Sequence, residues 1–167
     1  MSPPQVVHTE RVSSSPVTTW HEGVGRLVHQ AAIAESAVAR LARQLGGVDE
    51  AAAAQLLPLE LEQLVRVVRN LLPLRIHDVR LVNDVLDWTH QVRKLYAVRT
   101  SVVHTVWVAA EDTGEMVPAW SSADVAESPV AVADLERTTG RLAQLCGAPL
   151  HELLERTRTW TPSVASS

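Results

Sequence analysis

Arg99 and His104 stand with four residues between them in a stretch otherwise made largely of apolar side chains, Tyr96, Ala97, Val98, Val102, Val103 and Val106. Arg99 falls on the apolar stripe that runs through Val92 and Tyr96. A guanidinium is permanently charged, so on an inward-facing position it needs a partner or a cleft. A cleft would expose a planar fork of donors suited to two oxygens of an anion. His104 adds a group that changes charge near neutral pH and can give or take a proton. The bland reading is a structural Arg held by a carboxylate and a His packed under the helices, because ion-pair networks imitate sites.

The wording around the pair reads Tyr96-Ala97-Val98-Arg99-Thr100-Ser101-Val102-Val103-His104-Thr105-Val106-Trp107. This segment resembles the HEPN superfamily, whose members carry an Arg, four to six residues, then a His late in a helical bundle. The apolar pair Val102-Val103 before His104, and Trp107 three residues after it, match the family's common wording. The departure is Thr100, where the family usually has Asn, Asp or His straight after the Arg. The close match spans about a dozen residues; the order of helices and the place of the motif match over roughly residues 19–158.

The resemblance implies a metal-independent endoribonuclease, a toxin or phage-defence effector, whose copies pair so that two motifs face one cleft. In that chemistry RNA supplies its own nucleophile, the 2′-hydroxyl. The protein then has to move a proton, a task for His104, and hold charge on the phosphate, a task for Arg99. On a straight helix the five-residue step from Arg99 to His104 turns through about 140°. The two side chains therefore flank a groove, or meet across a two-fold axis, or the helix ends between them; this favours a site completed by a second copy. Tyr96, Thr100 and Trp107 are supporting candidates. Glu35 is another: it lies on the apolar stripe of the first helix, and the family's habit of an acidic residue there makes it a candidate partner for Arg99, although a position at the stripe's edge, in solvent, is the plainer reading.

The other chemistry-bearing residues form no pattern. His21, His29, His77, His90 and His151 lack metal-like spacing. Cys146 is the one cysteine, which excludes an internal disulfide and a thiolate metal site. There is no phosphate-binding glycine loop and no serine elbow. No metal and no cofactor are expected. Trp88, Trp107 and Trp120 are candidates for stacking on bases, with packing the simpler role.

Helices must position the pair. The expected fold is all-α, an antiparallel four-helix bundle of HEPN-like type with short extra helices and a small β-hairpin near residues 105–119. Residues 1–17 and 161–167 read as a disordered arm and tail around one domain over 18–160. The first helix is expected over 19–45, capped by Thr18 or Thr19 with Glu22 completing a capping box, and ended by Gly46-Gly47. A short Ala-rich helix capped by Asp49 leads to Pro58, which opens a second main helix closed by Pro73. The third main helix begins near 76–78, extends to about His104, and carries a stripe of Val82, Val85, Leu86, Thr89, Val92, Tyr96, Val103 and Val106. A turn at Asp112-Thr113-Gly114 separates two extended pieces. The last main helix covers 132–146, and a short one covers 150–158.

Composition sets the remaining bounds. Apolar residues make up 46% of the chain but aromatics only 4%, with no Phe, so Val, Leu and Ala must fill the core. The formal charge of −4 excludes a general nucleic-acid-coating protein. That charge is uneven: residues 58–104 hold seven basic and five acidic side chains, whereas 105–136 hold seven acidic and no basic ones. Solvated faces of mixed sign explain this, and a local basic site remains open. No apolar run approaches the ~18 residues of a membrane span, and the start lacks the pattern of a secretory signal; the expected place is the cytoplasm. Two functions stay open: a HEPN-type endoribonuclease acting on RNA as a homodimer, with an antitoxin or another protein as a candidate further partner, or a catalytically silent HEPN-like dimer that binds RNA or a protein partner.

Overall fold

The computed structural model describes residues 15–47, 59–119 and 131–160. The expected Ala-rich helix after Asp49, the bulk of the N-terminal arm, the C-terminal tail, Pro58 and Trp120 lie outside the described residues. Within them the chain is mainly helical: α1 (Pro16–Gly46), α2 (Leu61–Arg75), α3 (Val79–His104), a hairpin of β1 (Trp107–Ala109) and β2 (Met116–Pro118), α4 (Val132–Cys146) and α5 (Ala148–Trp160).

Local chemistry sets most boundaries. α1 starts earlier than expected: Ser15, not Thr18 or Thr19, is the cap, its hydroxyl accepting from the Thr18 N–H at 3.2 Å. Pro16 supplies a helical φ at the first position, where its missing N–H costs nothing. Gly47 ends the helix in the left-handed region at φ 64°, donating to the carbonyls of Arg43 and Gln44. At the head of α2, Gln63 Oε1 accepts from the Glu60 N–H at 2.9 Å. Pro73 does not close α2; the helix passes through it to Arg75, and extended Ile76 is the cap. Asp78 caps α3, its carboxylate accepting from the N–H groups of Arg80 and Leu81.

α1 packs against each of the other four helices. Its buried face comprises Leu27, Ala31, Ala34, Val38, Leu41 and Leu45, met by Leu64, Val68 and Leu72 of α2, Leu81, Val85 and Val92 of α3, and Leu135 and Leu142 of α4. Small residues on α1 let the neighbours approach. A Cβ at Gly23 would lie 3.2 Å from Leu135 Cδ1, so the α1–α4 contact is close there.

The hairpin pairs antiparallel, with Trp107 opposite Pro118, Val108 opposite Val117 and Ala109 opposite Met116. Pro118 sits in the terminal pair of the ladder, where a missing donor is tolerated. Gly114, at φ 68°, makes the turn. Met116 is buried and Trp107 packs on Trp20 with ring centroids 5.3 Å apart, so the hairpin is seated on the first turns of α1. Among the described residues no helix is long and apolar enough to cross a membrane.

Candidate functional site

α3 carries the site, and it changes character along its length. Up to Val92 its inward side chains are buried: Leu81, Val85, Trp88, Thr89 and Val92. Beyond Val92 only Val102 is buried, while Leu95, Tyr96, Val98 and Arg99 are half-buried and His104 is exposed. Val103 and Val106, expected on the inward stripe, are 42% and 53% exposed; Val102 takes the inward position instead. A stripe read by sevens drifts off the 3.6-residue period of a straight helix, so its far end is misplaced.

The half-open end of α3 faces the head of α2 across a groove of about 560 Å³. Tyr96, Arg99, Thr100 and His104 line it from α3, together with Arg93; Glu60, Leu61 and Glu62 line it from α2. The structure thus brings four of the six expected site residues to one place. The helix continues through Arg99 and ends at His104, so of the arrangements open from the sequence, flanking a groove is the one a single chain displays.

The Arg99 guanidinium lies over the Tyr96 ring, 5.6 Å from its centroid, which holds the cation at the groove wall without neutralising it. Arg99 makes no ion pair among the described residues. Glu35 does not pair directly with Arg99 as expected. Its Oε2 accepts from the Tyr96 hydroxyl at 3.2 Å, so Glu35, Tyr96 and Arg99 form a chain of contacts from α1 to the groove. The Tyr96 phenol is pushed above its ordinary 10.0, by burial first and by the Glu35 carboxylate second, with Arg99 opposing. The phenol is therefore a neutral donor to Glu35 at physiological pH. The Thr100 hydroxyl donates back to the Tyr96 carbonyl at 3.4 Å.

Trp107 stands outside the groove. Its indole donates to the Val102 carbonyl at 2.8 Å, satisfying one of the carbonyls that a helix's last turn leaves without a partner. Thr105 is extended and its N–H closes onto Ser101. The hairpin thereby fixes where α3 stops, and with it the placement of His104. Trp88 is 3% exposed and donates to the Leu145 carbonyl at 2.9 Å, which makes it a core residue rather than a stacking platform.

Sequence reasoning missed Arg93, Glu60 and Glu62. Arg93 lies 3.8 Å from Glu62 in an exposed pair. The excess of basic side chains over residues 58–104 was the available signal, but nothing in the text of α2 announces that its head faces the end of α3. Cys146 is half-buried and its thiol is pushed up by burial, which disfavours the reactive thiolate. Among the described residues no group of three or more His, Cys, Asp and Glu side chains is placed to hold a metal ion. No family model matches the chain, no curated protein matches it, and no solved structure matches it.

Proposed function

We propose that the chain is a metal-independent endoribonuclease of HEPN type, with α1 to α4 as its antiparallel four-helix bundle and a homodimer as its working form. The observation that carries this reading is the groove at the end of α3, lined by Arg99, Thr100 and His104, with Arg99 in no ion pair among the described residues. Arg99 holds two non-bridging oxygens of the scissile phosphate through its fork. The substrate's 2′-hydroxyl loses its proton and attacks phosphorus, the bond to the 5′-oxygen breaks, and that oxygen takes up a proton. His104 serves one of these transfers, and His104 of a second copy is placed by the family's pairing to serve the other. The products are a 2′,3′-cyclic phosphate and a 5′-hydroxyl. Exposed Val103, Val106 and Val108 flank His104 and supply apolar surface for such pairing.

The test is incubation of pure protein with mixed RNA in EDTA. Cleavage is expected to persist, with cyclic-phosphate ends, and His104→Ala is expected to lose ~10²–10⁴ in rate. Arg99→Lys is expected to fail as well, because a point charge does not reproduce a bidentate fork. Cleavage by His104→Ala at the wild-type rate overturns the assignment.

One feature favours the second reading, a silent HEPN-like dimer that binds RNA or a protein partner. Glu60 and Glu62 place carboxylates on the rim opposite Arg99 and His104, where they repel a phosphate. Binding of RNA by pure protein, without cleavage at any pH, selects that reading.

A further inference from the structure

Two more grooves run along the α2–α3 face beside the first. One, of about 380 Å³, is lined by Arg66, Arg69 and Asn70 of α2 and by Arg93 of α3. The next, of about 260 Å³, includes Arg69, Arg93 and His90. Arg93 borders all three, so the grooves form one path from His90 to His104. At 1.5 Å per residue that stretch of α3 is about 21 Å long, enough for several nucleotides of an extended strand.

The arginines on this path are not accounted for by ion pairing. Acidic residues outnumber Lys and Arg, 19 to 15, yet Arg66 and Arg69 have no carboxylate within ion-pair distance among the described residues. They stand three apart on one helix, an arrangement in which like charges oppose helix formation. Arg93 lines the same groove from the neighbouring helix, and its one ion-pair partner among the described residues is the exposed Glu62. Asn70 adds amide donors of the kind that bind phosphate oxygens without reading sequence.

We propose that the Arg66, Arg69 and Arg93 face is a phosphate track that carries single-stranded RNA away from the Arg99–His104 groove. This rests on the ribonuclease reading for its substrate, and adds that affinity comes mainly from backbone flanking the cut. Glu62 and Asp87 lie along the same path and limit the hold on the strand, so that product is released.

The test is fluorescence anisotropy with a labelled 12-nucleotide single-stranded RNA over a series of salt concentrations, using full-length His104→Ala protein to prevent cleavage. Adding Arg66→Gln and Arg69→Gln is expected to weaken binding and to lower the slope of log affinity against log salt by about 1.4, at ~0.7 per lost phosphate contact. Glu62→Gln is expected to strengthen binding. In wild-type background, Arg66→Gln with Arg69→Gln is expected to leave cleavage of a dinucleotide unchanged while slowing cleavage of the 12-mer at low concentration. An unchanged salt slope in the double variant overturns the track, as does equal competition by poly-glutamate. Failure of wild type to cut any RNA sinks the ribonuclease reading while leaving the salt-slope result to decide the track.

Discussion

The two halves of α3 are built from similar residues and behave differently. Each lies near a tryptophan that satisfies a helix-end carbonyl: Trp88 donates to Leu145 at the end of α4, and Trp107 donates to Val102 at the end of α3 itself. Trp88 does so from within the core, on the inward face that Leu81, Val85, Thr89 and Val92 share in its half of the helix. Trp107 does so from the rim, packed on Trp20, beside a helix end that is half-buried to exposed among the described residues, Val102 apart. A helix that outruns its bundle keeps its apolar stripe for as long as neighbours are present. Past that point, stripe positions become available to residues such as Arg99 that a core would not accept.

The largest effect expected from this contrast is on stability. Trp88→Ala is expected to destabilise by ~3–5 kcal/mol, the usual range for losing a large core aromatic. Arg99→Ala and His104→Ala are expected to stay within ~1 kcal/mol of wild type. Urea unfolding of the three variants measures this, and a collapse of His104→Ala would make His104 a packing residue.

A smaller effect is expected at Trp107. Trp107→Phe keeps most of the packing on Trp20 but removes the donor to Val102, at a cost of about 1 kcal/mol. Hydrogen exchange is expected to quicken over residues 101–105 and to remain slow over 81–92, because the loss is local to the helix end. Equal quickening of both halves would break the contrast between them.

The finest test uses Tyr96, the one tyrosine of the chain. Its ultraviolet absorbance change reports a single group. The folded phenol is expected to ionise above 10.0, Glu35→Gln to bring the midpoint down, and Arg99→Gln to raise it further. Because the folded value is raised, the associated stability is fully present below pH 10 and is lost as pH rises through the folded midpoint. A midpoint insensitive to both substitutions would mean that the Glu35–Tyr96–Arg99 contacts are absent in solution.

Much of this was legible in the sequence because it is local. Ser15 and Pro16 start α1 where the sequence reads as arm, whereas Gly47, the 132–146 helix and the Gly114 turn follow from propensity, caps and breakers acting within a few residues. The anomaly of Arg99 was visible for the same reason: a charge on a stripe can be read by counting. Pro73 lies inside α2, two residues before its end, so the helix runs past the proline to Arg75 where the sequence predicts a stop.

What only the tertiary structure decided is which partners meet. Whether Val102 or Val103 turns inward depends on the phase α3 adopts against α1 and the hairpin, not on either residue's hydrophobicity. Glu35 meets the Tyr96 hydroxyl rather than Arg99, through a contact between residues 61 apart in sequence. The sequence by itself determined that a cation and an imidazole would lie near the end of one helix. The packing of α2 across that end decided that they share a groove, that Arg93 extends it, and that Glu60 and Glu62 face them. These are long-range juxtapositions, set by how whole helix faces bury apolar area, and no local pattern encodes them.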